Sequence, residues 1–335
     1  MRADPNDVGV RRPDIVRGLV SVIIPAHNAE AWLAETIGSV AAQTYAHTEV
    51  LVVDDASTDG TRAIAARLGA IVVEVRGAGP GGARNAGMSA ARGEFLQFLD
   101  ADDLLVPTKV ARQVSVLAES GGDVAWEPFH HLVAEPNGRY AVGRRVVPEL
   151  GPDLAASLLT SRGFVQLGAL LVRRTARTDA VWFPHAAGAV EDVRYVVELA
   201  LSGAVFVATD AGEPGLLYRQ HVGPRYSTRP IVSFARGCAE NAAWAEGYWE
   251  RHGGLTTPRR AALAEAYAFA ARQLAAHDPA AFSEVAERGL ALGAEFTRRL
   301  PGRVRLLARV VGYPRAEMIA SSWRRIRRAG HAGAE

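Results

Sequence analysis

Three polar clusters in the first third of the chain each follow a short apolar run. Pro25-Ala26-His27-Asn28-Ala29-Glu30 comes after Val20–Ile24, Asp54-Asp55-Ala56-Ser57-Thr58-Asp59-Gly60 after Glu49–Val53, and Asp100-Ala101-Asp102-Asp103 after Phe95–Leu99. Carboxylates crowded on one edge repel one another unless a cation or a donor-rich ligand compensates them. The pattern therefore points to a divalent metal acting with a phosphate-bearing ligand. Each piece has a plainer reading as well: Ser57 and Asp59 are residue types that cap helices, and a lone Asp-x-Asp arises by chance. The weight rests on three clusters that the topology would gather on one edge.

That topology follows from the apolar runs. Val20–Ile24, Glu49–Val53, Ile71–Val75 and Phe95–Leu99 read as buried strands, separated by helical patterns. The first helix carries Trp32, Leu33, Thr36, Ile37 and Val40 on one face, the second runs to Leu68 before Gly69, and the third covers about 82–92. Repeated strand–helix units imply an α/β fold, a mostly parallel sheet with helices on both faces, in which ligands bind at the carboxyl ends of strands. Beyond Asp103 the pattern changes. Pro107 suits the start of a helix to about Glu119, and Asn137-Gly138 signals a hairpin, so the sheet is expected to gain antiparallel strands. A strand at Ala169–Val172, a helix at Glu191–Ser202 and a strand at Ala204–Val207 follow. The expected organisation is a mobile tail over 1–18, an α/β domain over 19–228 and an α-helical region over 229–335.

Composition narrows the class of function. With 49% hydrophobic and 22% charged residues among 335, a disordered or disulfide-built chain is excluded. A net charge of +2, from 38 basic and 36 acidic residues, does not suit a dedicated nucleic-acid binder. Cys238, the only cysteine, rules out an intrachain disulfide and a cysteine-rich zinc site. The N-terminus has no apolar signal core and no stretch is long and apolar enough to span a membrane, so a cytoplasmic protein is expected. Gly77-Ala78-Gly79-Pro80-Gly81-Gly82 satisfies G-x-G-x-x-G, which raises an NAD-dependent oxidoreductase as a rival. Against it, these glycines follow the third strand rather than the first, and Asp100 opens a run of more carboxylates than a ribose needs. The glycines could instead bring backbone and Arg84 close to a diphosphate.

Taken in order, VSVIIPAHNAEAWL, EVLVVDDASTDGT, GGARNAGMSAARGEFLQFLDADD, AVEDVRYVVELALSG and LLYRQH resemble the motifs of glycosyltransferase family 2, inverting and metal-dependent nucleotide-sugar transferases of GT-A fold. The resemblance spans about Val20 to His221. It implies that Pro25, Ala26, His27 and Glu30 line a nucleoside pocket, that Asp55 holds the base, usually uracil, and that Arg84 contacts the donor. Asp100-Ala101-Asp102 would bind ribose and a metal, Mn2+ or Mg2+, with His221 completing the metal shell or contacting the diphosphate. Glu191 and Asp192 match the catalytic pair, Asp192 as base. His27 departs from the tyrosine or phenylalanine common at its position. The implied partners are a UDP-sugar and an unidentified hydroxyl acceptor: a glycan, a lipid-linked glycan or a small natural product. A non-catalytic nucleotide-sugar-binding protein is a further alternative. The segment 303–328 mixes Val304, Leu306, Leu307, Val310, Val311, Ile319, Trp323 and Ile326 with many arginines. It reads either as a helix packed on its own domain, interrupted at Pro314, or as a peripheral contact with an anionic membrane.

Overall fold

The computed structural model describes residues 13–135, 139–184, 190–209, 214–220 and 231–332. The chain opens with β1 (Val16–Ala26), α1 (Leu33–Ala41), β2 (Thr48–Asp55), α2 (Thr61–Arg67), β3 (Ile71–Val75), α3 (Gly79–Ala90) and β4 (Gly93–Phe98). There follow β5 (Leu104–Leu105), α4 (Lys109–Ser120), β6 (Val124–Trp126), β7 (Phe129–Ala134), β8 (Tyr140–Val146), α5 (Leu154–Leu158) and β9 (Leu170–Arg173). The remainder is α6 (Glu191–Leu201), β10 (Phe206–Ala208), β11 (Leu216–Gln220) and the helices α7 (Ile231–Arg251), α8 (Thr257–Leu274), α9 (Pro279–Ala291), α10 (Ala294–Arg299), α11 (Gly302–Val311) and α12 (Tyr313–Ala332). Described residues fall into two compact units. One draws on Met1–Glu149, Val165–His185 and Arg194–Gly223, the other on Leu150–Phe164, Ala186–Val193 and Pro224–Glu335.

The first unit is built on a seven-stranded sheet of order β10-β6-β9-β4-β1-β2-β3, parallel except for β9. Val20, Val22, Ile23 and Ile24 of the central strand have no exposed surface, as a strand covered on both faces requires. The order 3-2-1-4 makes the gap between β1 and β4 the switch point, with the polar clusters at the carboxyl ends of β1, β2 and β4. Helix α3 lies against this centre: a Cβ on Gly87 would stand 2.4 Å from Ile23 and 3.1 Å from Val53, so only glycine lets it pack so close. β1 begins ahead of Leu19, because the Val16 N–H donates to the Arg92 carbonyl at 2.7 Å and Gly18 donates to Glu94 at 2.8 Å.

The antiparallel hairpin forms, but it does not widen the main sheet as expected. β7 and β8 belong to a separate four-stranded sheet, β5-β11-β7-β8, in which β11 runs parallel to β7. Pro128, which has no N–H for a ladder, separates β6 in one sheet from β7 in the other. The hairpin tip, Asn137-Gly138, lies outside the described residues. In the second unit, Trp249, Tyr267 and Phe296 form fully buried centres among α7 to α10. The Asp278 carboxylate caps α9 by accepting from Ala281 at 3.2 Å. The break between α11 and α12 falls at Gly312, in left-handed conformation with φ of 77°, and Pro314 takes the first turn of α12, where its missing N–H costs no helical bond. No helix among the described residues is long and apolar enough to cross a membrane.

Candidate functional site at the carboxyl edge of the main sheet

The loops after β1 and β2 are laced together. Asn28 N–H donates to Ser57 Oγ at 2.9 Å, Ala29 N–H to Thr61 Oγ1 at 2.8 Å and Glu30 N–H to Asp59 Oδ2 at 3.1 Å. In return, Thr58 N–H donates to Asn28 Oδ1 at 2.9 Å and Gly60 N–H to Glu30 Oε2 at 2.7 Å. Asn28 and Ala56 hold positive φ of 50° and 55°; asparagine tolerates that conformation and alanine pays for it in strain. The expectation that Ser57 and Asp59 serve as caps of α2 is thus met only in part. Asp59 accepts from Thr61 N–H at 3.0 Å, while Ser57 and the second Asp59 oxygen are turned to the β1 loop. Burial would raise the Asp59 carboxyl, but the donors from Thr61 and Glu30 outweigh it and hold Asp59 below the ordinary aspartate value. His27 is exposed, its Nδ1 donating to the Asp55 carbonyl at 2.6 Å and its Nε2 facing Asn28 Nδ2 at 3.3 Å, so the ring is fixed at the end of β1. Pro25 is half-buried and Ala26 buried at the same strand end.

At the end of β4 the protein supplies its own counter-charges. Buried Arg84 of α3 pairs with Asp100 at 2.7 Å, its guanidinium 5.3 Å from the centre of the Phe183 ring. The neighbouring Asn85 fixes that ring's backbone by exchanging two 2.9 Å bonds with Phe183. Asp103 is buried and accepts from Arg219 N–H at 2.8 Å. Burial, with the charges of Asp102 and Asp100, pushes its carboxyl well above the usual range. Ala101 is anchored by Thr36 Oγ1, which donates to its carbonyl at 2.8 Å, and Asp102 stands half-buried on the same turn. Arg84 thus offsets part of the carboxylate charge gathered at this edge.

Sequence reasoning passed over Arg219, one residue of LLYRQH. Its side chain is 1% exposed, donates to the Asp102 carbonyl at 2.7 Å and to Glu35 at 2.6 Å, and lies 4.8 and 4.5 Å from the ring centres of Trp32 and Tyr140. It ties β11 to the Asp100–Asp103 turn. The aromatic partners come from distant segments, so no local pattern announced it. His221 lies outside the described residues.

Asp55 accepts from Ala78 N–H at 3.1 Å and Gly79 N–H at 2.8 Å. These are the amides that a dinucleotide pyrophosphate would need at a G-x-G-x-x-G turn, and a side chain of the protein already takes them. This argues against the oxidoreductase, and it also removes these two amides from the expected diphosphate cradle. In the second unit, Glu191 is buried and Asp192 half-buried in the first turn of α6, where the helix dipole favours a carboxylate. Buried Asn241 of α7 donates to the Val190 carbonyl at 2.9 Å just ahead of them. Burial, with the charge of Asp192, pushes the Cys238 thiol up to about 12. His130 and His131 are both shifted down, by burial and then by Arg145 and Arg144 respectively, and His131 stacks with Phe129. Among the described residues no three His, Cys, Asp or Glu side chains gather as a metal site.

The family model described as Glycosyl transferase family 2 matches residues 21–148, which hold the second half of β1, all of β2 to β8 and the three polar clusters. These residues are a glycosyltransferase family 2 domain. Its relatives include the UDP-Glc:alpha-D-GlcNAc-diphosphoundecaprenol beta-1,3-glucosyltransferase WfgD of Escherichia coli, 33% identical over 135 residues, which are 39% of this chain and 52% of WfgD. The match thus spans about half the length of that relative. Crystalline Staphylococcus aureus TarS 1-349 in complex with UDP-GlcNAc superposes with a TM-score of 0.63 at 21% identity, over 90% of this chain and 88% of that one. The Pyrobaculum calidifontis mannosyltransferase PcManGT, in complex with GDP-Man and Mn2+, gives 0.52 at 22% identity over 94% and 90%. The family 2 domain thus has a GT-A-like fold, accompanied by a C-terminal all-helical region.

Proposed function

We propose that the chain transfers a sugar from a nucleotide diphosphate donor, most specifically a UDP-sugar, to an acceptor hydroxyl with inversion at the sugar carbon. The observation that carries this reading is the grouping of Arg84, Asp100 and Asp102 at the β4 end, beside the laced loops of β1 and β2, within a family 2 domain. WfgD is named for a UDP-Glc donor and the TarS structure contains UDP-GlcNAc, which supports the choice of nucleotide. In this reading Pro25, Ala26, the fixed imidazole of His27 and Glu30 line the nucleoside side. Asp55 accepts from the base with lone pairs not used on Ala78 and Gly79. Arg84 and Asp100 act as a unit, the carboxylate toward ribose and the guanidinium holding it in place.

The residues also fit a divalent ion. Asp102, half-buried on the turn after β4, is the carboxylate assigned to a Mn2+ or Mg2+ that would take its remaining oxygens from phosphate and water. His221 would be a further ligand. Such an ion would supply Lewis-acid stabilisation of the charge on the departing diphosphate. Asp192 acts as base: it takes the acceptor proton as the acceptor oxygen bonds to the anomeric carbon, and the bond from that carbon to phosphate breaks with its electron pair leaving on UDP. Glu191, the other member of the pair, lies buried beside it in the first turn of α6. The test is Asp192→Asn, which keeps the shape and removes the base. Transfer across a panel of lipid-linked and soluble acceptors should fall by about 10²–10⁴ while donor affinity is unchanged, and an α-linked donor should yield a β-linked product. Full activity of the variant, or a retained α-linkage, contradicts the assignment.

A further inference from the structure

We propose that the exposed face of α11 and α12 is a docking surface for an anionic lipid bilayer. The sequence left open whether 303–328 packs inward or faces a membrane, and the structure divides its apolar residues between the two. Val304, Tyr313 and Ala316 are buried, so the inward side of both helices is already occupied. A second apolar set faces out: Leu306 is 65%, Val310 82%, Met318 51% and Trp323 61% exposed, with Ile319 beside them. On α12, Met318, Ile319 and Trp323 follow helical spacing and form one stripe with the exposed Arg315. On α11, Leu306 and Val310 lie four apart, next to Arg305 and Arg309, which are also four apart.

Charge identifies the occupant. Over 303–328 the sequence has eight arginines and one glutamate, in a chain whose whole formal charge is only +2, so the rest is net acidic. That glutamate, Glu317, is buried and accepts from Arg324 at 2.5 Å, so no carboxylate interrupts the outer face over 303–324. Apolar side chains with a tryptophan at their edge, rimmed by arginines, match the interfacial region of a membrane whose headgroups are anionic. A protein partner or a second copy would meet the same apolar stripe but would need a strongly acidic rim to tolerate these arginines. The acid-poor face of a second copy does not offer one. The inference is independent of the transferase reading and stands or falls separately from it.

The experiment is co-sedimentation of the full chain with phosphatidylcholine vesicles and with phosphatidylcholine–phosphatidylglycerol vesicles, at low and high salt. Sedimentation velocity without lipid runs in parallel. Binding should favour the anionic vesicles by at least about tenfold and weaken with salt. The double variant Val310→Glu, Trp323→Glu, placed on exposed positions and checked by its melting curve, should lose at least about tenfold of that binding. A variant that no longer melts cooperatively is replaced by Arg305→Gln, Arg309→Gln, for which the same loss is expected. Equal binding to both vesicle types, undiminished binding by the variants, or a self-association that the variants abolish in the absence of vesicle binding would overturn the proposal.

Discussion

Asp55 shows how one carboxylate can serve two ends. Its two oxygens accept from Ala78 and Gly79, so the side chain clasps the glycine-rich turn to the end of β2, and in the proposed function it also accepts from the nucleobase. Asp55→Ala should therefore weaken UDP binding and also lower stability by about 1.5–3 kcal/mol, since bonds to a charged acceptor are lost and two amides are left to solvent. Denaturant unfolding of variant against parent reads the second effect, and an unchanged midpoint would remove the clasp from the account. Arg84 makes the complementary point: buried against Phe183 and paired with Asp100, it turns what the sequence presents as surplus negative charge into a compensated pair. Ser57 and Asp59 read as caps from their types and position. Asp59 does cap Thr61 with one oxygen, but its second oxygen and the Ser57 hydroxyl reach a loop about thirty residues earlier, a partner that local spacing cannot reveal.

Among the elements, the alternating strands and helices from β1 to β4 were legible because continuous apolar runs of strand length alternate with helical periodicity. The helical character of everything after α7 was legible for the same reason. The smaller sheet was not. β5 is two residues long, too short to carry any period, and β11 finds β7 across a long stretch of chain. Lys109, at the start of α4, illustrates a buried group whose setting only the assembled elements define. It is fully buried, its Nζ donating to the Leu170 carbonyl at 2.8 Å and to Gln97 Oε1. Burial, helped by Arg112 and opposed by Glu127, pushes it down to about 7 from an ordinary 10.5. Between those values the unfolded chain holds a proton that the folded chain has released, so this residue makes the protein more stable as pH rises through the window. The stability of the parent relative to Lys109→Met should thus increase from about pH 7 to about pH 10, and a difference independent of pH would contradict it.

At the scale of the whole molecule, a nearly neutral chain conceals an uneven distribution of charge. The arginine-rich end of the helical region is offset by an acidic remainder, and part of that acid is gathered at the carboxyl edge of the main sheet. The central claim is that this edge receives a nucleoside diphosphate through Asp102 and a divalent ion, and that it is not a dinucleotide site, because Asp55 occupies the amides of the glycine turn. The most direct measurement is calorimetric titration of the full chain with UDP, GDP and NAD, each with manganese and with chelator, repeated on Asp102→Ala. The account predicts that UDP binds in manganese more tightly than GDP, that NAD does not bind, and that chelator or Asp102→Ala each reduce UDP affinity by about tenfold or more. Equal UDP affinity with chelator and in the variant, or preferential binding of NAD, would contradict it.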